Sequence, residues 1–183
     1  MQKKLGDVSE IAVVNGEKGL ADAVSIAPVA GSKNMPILLS SKNEGIKRYG
    51  QFIKDEKIAK SYVIGGKSAI NEDVAKELPN ATRLGGVNRN ETNAIIIDQF
   101  YKSEELNNIY VAKDGMTKEN DLIDALAVGA VAAKENAVVV IGGANINEKQ
   151  AQVLSTKKTK MLTKVGGNGN EGIFNKVKSI LKK

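Results

Sequence analysis

The sequence predicts an α/β fold made of two tandem units, each built around a parallel β-sheet. Three observations lead to this prediction. Short apolar runs lack the alternation of half-exposed strands, helical patterns lie between those runs, and the whole pattern repeats after about 101 residues.

The strand candidates are six apolar runs of three to five residues, each ending near Gly, Asn, Asp or Ser. A strand that is buried on both faces does not need alternating polar residues, so these runs indicate buried parallel strands. The runs are residues 11–14, 36–39, 62–64, 109–112, 138–141 and 161–165.

Helical patterns separate the strand candidates along the chain. Strands that alternate with helices of this length are typical of right-handed crossovers in an α/β protein. The predicted helices are residues 20–30, 45–55, 71–78, 91–101, 119–134, 147–154 and 171–181.

An internal repeat becomes visible when three blocks are aligned. GLADAVSIAPVA (19–30) matches DLIDALAVGAVA (121–132) at an offset of 102. MPILLS matches NAVVVI, and SYVIGGK matches LTKVGGN, each at an offset of 101. We therefore expect a first unit over residues 1–80. Residues 81–183 then contain a connecting segment, RLGGVNRNET, and a second unit. We expect the two units to pack rigidly against each other, because no Pro- or Ser-rich linker separates them.

The composition excludes several classes of catalytic and metal site. The chain has no Cys, His or Trp, which removes thiol nucleophiles, Ser-His-Asp triads and almost every zinc or copper site. An oxygen-ligated Ca²⁺ or Mg²⁺ site stays open, but no D-x-D-x-D-G loop is present. We predict no catalytic residue, no cofactor and no metal.

The charge is uneven along the chain. The net charge is +6, and residues 149–183 hold nine lysines and one acid, so this part carries +8 and the rest −2. The imbalance suggests an anionic partner, although a solvated lysine-rich helix face is an equal alternative. Few aromatics and no RNA-binding motif argue against nucleic acid. No apolar run reaches the roughly 20 residues of a membrane span, and the start lacks the apolar core of a signal peptide.

Two glycine-rich turns resemble nucleotide-binding motifs without completing them. GGNGNEG (166–172) contains G-x-G-x-x-G, but no acid follows about 20 residues later to hold a ribose. GGKS (65–68) resembles the end of a phosphate loop, but Ser61 stands where that motif needs Gly. Both are interpreted as strand-to-helix turns, and the second also favours anions through backbone N–H groups beside Lys67.

Charged residues at repeated positions are further candidates. Asp22 and Asp124 occupy equivalent places in the first turns of two Ala-rich helices, where an acid stabilises the helix start or bonds a neighbouring loop. Arg83 and Arg89 flank a Gly-Gly turn and offer planar donors to phosphate or carboxylate. A salt bridge to Glu72 or Glu91 is the competing role of these arginines.

Four motifs in order resemble the clostridial cell-wall-binding repeat, type 2. They are GLADAVSIAPVA, MPILL, YVIGGKSAI and RLGGVNRNET, and the likeness extends over residues 11–181. That family has an ADALS-like helix, a PILL strand, an IIGG turn and an R-I-x-G-x-x-R-Y-x-T motif. Here Asn90 replaces the tyrosine, the second unit lacks PILL, and two repeats are present where the family usually has three. Either another repeat lies upstream, or two suffice in another arrangement.

The resemblance implies Rossmann-like repeats that hold a surface protein noncovalently to a Gram-positive wall. The implied ligand is an anionic, phosphate-containing wall polysaccharide, and further partners are neighbouring S-layer proteins or another repeat. The implied location is the cell surface, without membrane insertion. The predicted polymer-binding residues are Asp22, Ser25, Lys33, Pro36, Ile37, Leu38, Leu39, Lys67, Arg83 and Arg89. The alternatives are a nucleotide-binding domain or enzyme that uses the Gly-rich turns, and a purely structural S-layer piece.

Overall fold

Two parallel β-sheets form the frame of the chain, and this confirms the predicted fold class. The structure is a computed structural model that describes residues 6–41 and 44–181. The first sheet has the order β2-β1-β3-β4, and the second has the order β6-β5-β7. The strands are β1 (Glu10–Asn15), β2 (Ile37–Ser40), β3 (Lys60–Ile64), β4 (Ala81–Leu84), β5 (Glu105–Lys113), β6 (Ala137–Gly142) and β7 (Lys158–Lys164).

Helices cover both sheets and follow the strands as crossovers. Short 3₁₀ turns at Lys47–Tyr49 and Glu119–Asp121 precede two of them, so the helices predicted over 45–55 and 119–134 are each interrupted near their start. The helices are α1 (Leu20–Ser32), α2 (Gly50–Asp55), α3 (Glu72–Lys76), α4 (Arg89–Phe100), α5 (Leu122–Ala132), α6 (Glu148–Ser155) and α7 (Glu171–Leu181).

Strand β4 is the element that the sequence does not predict. The four residues ATRL contain no apolar run, and only Leu84 among them is buried. They form a strand because their backbone pairs with β3, in the register Ser61↔Ala81 to Ile64↔Leu84. The start of the predicted connecting segment therefore completes the first sheet.

The two units repeat the same topology. In each, the first strand lies between the second and the third, and a small-residue helix follows the first strand. Helices α1 and α5 pack against each other through equivalent positions. A Cβ added to Gly129 would lie 3.1 Å from the Ala27 Cβ, and one added to Gly31 would lie 2.7 Å from the Ala133 Cβ. These small residues allow the close approach of the two helices.

Asn93 on α4 forms hydrogen bonds to both units. Its side chain is fully buried, and Nδ2 donates to Ser25 Oγ on α1 (3.2 Å) and to the Val139 carbonyl on β6 (2.8 Å). Its Oδ1 accepts from Gln150 Nε2 on α6 at 2.9 Å. Since an unpaired buried amide is costly, this network fixes how α4 lies between the units.

Candidate functional site

A cleft opens at the carboxyl edge of the first sheet. It lies between the loops that follow β1, β3 and β4, and the chain order of this sheet reverses between β1 and β3. Ligands of open α/β sheets usually bind at such a position. The cleft has a volume of about 160 Å³, and the main lining residues are Lys18, Asp22, Gly66, Ser68, Gly86, Asn88, Arg89 and Thr92. We call it the first-unit cleft.

Two glycine pairs bring the walls of this cleft together. Gly65 has φ +104°, in the region that favours glycine. A Cβ on Gly85 would overlap the Gly65 carbonyl oxygen, and one on Gly86 would lie 2.5 Å from the Glu91 Cβ. The turns after β3 and β4 can therefore touch only because neither carries a side chain there. The Gly86 N–H then donates to Thr92 Oγ1 at 3.0 Å, which fixes the start of α4.

Two helices begin at the first-unit cleft. Helix α1 starts after Gly19 and has no side-chain cap, whereas Asn88 caps α4 by accepting from the Glu91 N–H at 2.9 Å. A helix start carries a partial positive charge and unpaired N–H groups, so it attracts anions. The sheet order thus brings two anion-favouring helix ends to one cleft.

Two cationic side chains add to this positive potential. Lys18 is exposed on the loop after β1 and forms no ion pair within residues 6–41 and 44–181. Arg89 is half-buried, and one guanidinium nitrogen donates to the Asp114 carbonyl at 2.7 Å. Because a single bond leaves further N–H groups on the guanidinium, Arg89 can bind a ligand while it joins the two units.

Asp22 is the acid of the first-unit cleft. It lies in the first turn of α1, and a Cβ added to Gly65 would come within 2.5 Å of its Oδ2. Burial raises the pKa of this carboxyl from 3.8 to about 6, and the positive charge of Arg89 offsets part of that effect. No group in the described part of the chain donates a hydrogen bond to it. Its counterpart Asp124 makes the same close approach to Gly166 but is exposed.

A second cleft opens at the carboxyl edge of the second sheet, with a volume of about 350 Å³. We call it the second-unit cleft; it is lined by Lys113, Asp114, Thr117, Lys118, Asp121, Gly142, Gly143, Ala144 and Gly169. Lys113 pairs with Asp121 at 3.2 Å, whereas Lys118 is exposed. Since Arg89 lines the first cleft and bonds Asp114 of the second, the two clefts adjoin.

The structure brings together four of the predicted polymer-binding residues. Asp22 and Arg89 line the first-unit cleft, and Lys67 and Arg83 lie beside it on the turn after β3 and on β4. Arg83 donates to the Gly65 carbonyl at 3.1 Å and contacts Glu72 at 3.4 Å, which is one of the salt bridges considered from the sequence. Lys67 is exposed, with Glu72 at 3.7 Å.

The other predicted residues lie elsewhere. Lys33 follows the end of α1 and pairs with Glu10 at 2.8 Å, at the opposite edge of the sheet. Pro36 and the edge strand β2 carry the PILL motif, in which Pro36 and Ile37 are half-buried, Leu38 is buried and Leu39 is exposed. Ser25 is buried under α4, where it donates to the Ala21 carbonyl and accepts from Asn93. The binding role of these residues stays a prediction.

Lys18, Ser68 and Asn88 line the cleft but are not among the predicted polymer-binding residues. Their signal is position, because each follows a strand of one parallel sheet, and strand ends of such a sheet share an edge. The described lysines of the C-terminal third lie in different environments. Lys157 is buried and donates to the Tyr101 carbonyl, Lys164 pairs with Glu171, and Lys182 and Lys183 lie outside the described residues.

The described residues contain no helix that is long and apolar enough to cross a membrane. They also contain no group of three acidic side chains placed to hold a metal ion. The turn GGNGNEG leads from β7 into α7, and Asn170 Nδ2 donates back to the Val165 carbonyl at 2.6 Å.

Comparison with known proteins gives a family and solved relatives. Residues 2–75 and 83–171 match the cell wall binding domain 2 family. The chain is 29% identical over 156 residues to the N-acetylmuramoyl-L-alanine amidase LytC of Bacillus subtilis, covering 85% of this chain and 30% of the amidase.

Two solved structures from Clostridium difficile share the fold. Cwp6 is similar with a TM-score of 0.85 and 26% identity, over 99% of this chain and 29% of that protein. Cwp8 has the same TM-score and 27% identity, over 98% of this chain and 31% of that protein. The chain thus spans about a third of the length of these relatives. Because the family match covers most of both units, the chain belongs to the cell wall binding domain 2 family.

Proposed function

We propose that this chain is a noncatalytic cell-wall-anchoring module that binds an anionic, phosphate-containing wall polysaccharide at the cell surface. One observation carries the proposal: the starts of α1 and α4 converge with Lys18 and Arg89 on the first-unit cleft. Helix starts, a lysine and a planar guanidinium are all groups that bind phosphate. Membership of the family supports the wall as the place where that phosphate is found.

Several weak contacts account for the anchoring. The first-unit cleft offers Lys18 and Arg89, the adjoining turn offers Lys67, and the second-unit cleft offers Lys118. A polymer with regularly spaced phosphates can contact these groups together, so that each contact raises the effective concentration of the next. Because the lysines are exposed, binding should weaken steeply as salt screens their charges.

Retention on purified cell walls tests this function. We expect Lys18→Gln combined with Lys118→Gln to lower the affinity for walls severalfold and to flatten its salt dependence. Lys158→Gln combined with Lys160→Gln is the matched control, since it removes the same number of charges from exposed lysines near the opposite edge of the second sheet. Equal losses in both variants would show that only overall charge matters. Micromolar binding of a nucleotide would instead favour the nucleotide-binding alternative.

Helix α5 carries an exposed apolar surface, which favours binding of a partner protein. Ile123 and Leu126 are 59% and 47% exposed, whereas their counterparts Ala21 and Val24 on α1 are at most 5% exposed. Ala21 and Val24 are buried because they pack into the core of the second unit. The equivalent face of α5 is therefore shaped to pack into the core of a further unit, so we infer another repeat of this kind as the occupant.

The edge of β7 supports the same inference. In the first sheet β4 pairs with the outer edge of β3, while no strand of the described residues pairs with the corresponding edge of β7. The start of a further repeat would complete the second sheet as β4 completes the first. Sedimentation of this chain alone and with a covalently continuous further repeat tests this. Leu126→Asp should weaken docking of the added repeat, and unchanged docking would contradict the inference.

A further inference from the structure

An anion-binding site does not explain why the first-unit cleft contains the carboxylate of Asp22. A carboxylate repels phosphate, yet Asp22 lies in the same small cleft as Lys18 and Arg89. Its two oxygens can accept several hydrogen bonds, and none is made by the residues that the structure describes. Asp22 is half-buried, and its oxygens are not among the fully buried unpartnered atoms of the described residues, so the carboxylate stays open to the cleft. A ligand in the cleft can therefore reach acceptor oxygens that the described residues leave unused.

The fold itself does not require the covered position of this acid. Asp124 occupies the equivalent place on α5 and approaches Gly166 as Asp22 approaches Gly65, but it is exposed to water. The difference arises because the start of α4, with Arg89, covers only Asp22. Gly65 leaves the space that the carboxylate occupies, so the side chain is held against the turn after β3.

The chemistry of the cleft limits which kind of ligand group can bind to Asp22. A divalent cation needs six or more oxygen ligands, and the described residues hold no cluster of three acids. A second phosphate would meet a negative charge. Burial raises the pKa of Asp22 to about 6, so the carboxyl is mainly ionised at pH 7.5 and acts as an acceptor. A cationic donor on the ligand would meet the positive charges of Lys18 and Arg89, so neutral hydroxyl donors are the groups that fit this acceptor.

We propose that the first-unit cleft recognises a glycosyl phosphate, with Asp22 accepting hydrogen bonds from sugar hydroxyl groups while Lys18 and Arg89 hold the phosphate. This inference rests on the proposed function and makes it more specific, because it names the unit of the polymer that is read. The cleft of about 160 Å³ is smaller than the roughly 300–1,000 Å³ of sites for drug-sized ligands, so it holds only a short part of the polymer, such as the phosphate and the nearest hydroxyl groups of the adjoining sugar.

The test compares the anionic polymer extracted from walls of the producing organism with the same polymer O-acetylated by acetic anhydride. Acetylation removes hydroxyl donors and leaves the phosphodiesters in place. We expect the wild-type chain to bind the acetylated polymer about tenfold more weakly, as loss of a charge-assisted hydrogen bond predicts. Asp22→Asn should bind the native polymer about tenfold more weakly at pH 7.5, and acetylation should then cause little further loss, as a double-mutant cycle requires.

Asp124→Asn is the matched control and should behave as the wild type, because Asp124 is outside the cleft. The inference is overturned if Asp22→Asn binds the native polymer as tightly as the wild type or more tightly, since Asp22 would then only repel phosphate. It is also overturned if acetylation weakens the wild type and Asp22→Asn equally. The proposed function fails separately, if the wild-type chain does not bind the native polymer.

Discussion

Replacement of Asp22 by Asn should change how the stability of the protein depends on pH. Burial raises the pKa of this carboxyl from 3.8 to about 6 in the folded chain. Between about pH 4 and pH 6 the folded chain therefore binds more protons than the unfolded chain, and the free energy of unfolding falls as the pH rises. An amide does not ionise, so Asp22→Asn removes this loss.

The size of the effect follows from the same pKa. A tenfold difference in the acid dissociation constant of Asp22 between the folded and the unfolded chain corresponds to about 1.4 kcal/mol of stability. The change in pKa from 3.8 to about 6 therefore sets an upper bound of about 3 kcal/mol on the loss of stability. Asp22 is only half-buried, so water reduces this to roughly 1–2 kcal/mol. The stability of Asp22→Asn relative to the wild type should rise by that amount between pH 4 and pH 7.5.

Urea unfolding at several pH values, followed by circular dichroism, measures this difference. Comparison across pH cancels any constant cost of placing the amide, and Asp124→Asn serves as the exposed control. A stability difference between Asp22→Asn and the wild type that stays constant from pH 4 to pH 7.5 would refute the reasoning.

Three further predictions can be checked by urea unfolding of the isolated chain. Asn93→Ala should lower the free energy of unfolding by about 2–4 kcal/mol, since buried groups on α1, β6 and α6 lose a partner, whereas the exposed Gln152→Ala should change it little. Gly65→Ala and Gly166→Ala should both cost about 1–3 kcal/mol of backbone strain, with Gly65→Ala costing more because the exposed Asp124 can move away into water more freely than the half-buried Asp22. Val24→Asp should cost more than about 4 kcal/mol by burying a charge, while its counterpart Leu126→Asp should stay within about 1 kcal/mol. Equal effects within any of these pairs would contradict the assigned environments.

The framework of the fold could be predicted because its strands are buried on both faces. Such strands appear in the sequence as apolar runs, and the repeat of those runs gives the two sheets. Strand β4 could not be found this way, because ATRL forms a strand only through pairing with β3. β7 was predicted as a buried strand, but it lies at a sheet edge and much of it is exposed.

The cleft could be predicted only in part, for a related reason. Asp22 and Arg89 were singled out through motifs, but Lys18 joins them only because the order of the strands brings three distant loops together. The repeat also made Asp22 and Asp124 look alike in the sequence. Their environments differ because α4 covers one and leaves the other in water, and no local pattern contains that information.

Binding to cell walls before and after removal of their anionic polymer tests the central claim most directly. Purified walls are extracted with hydrofluoric acid, which cleaves phosphodiesters, and the chain is then sedimented with treated and untreated walls at low and high salt. We predict strong retention on untreated walls at low salt, weaker retention at high salt, and little retention on extracted walls. Retention that is unchanged after extraction would contradict the account, because the chain would then bind the wall without its phosphate polymer.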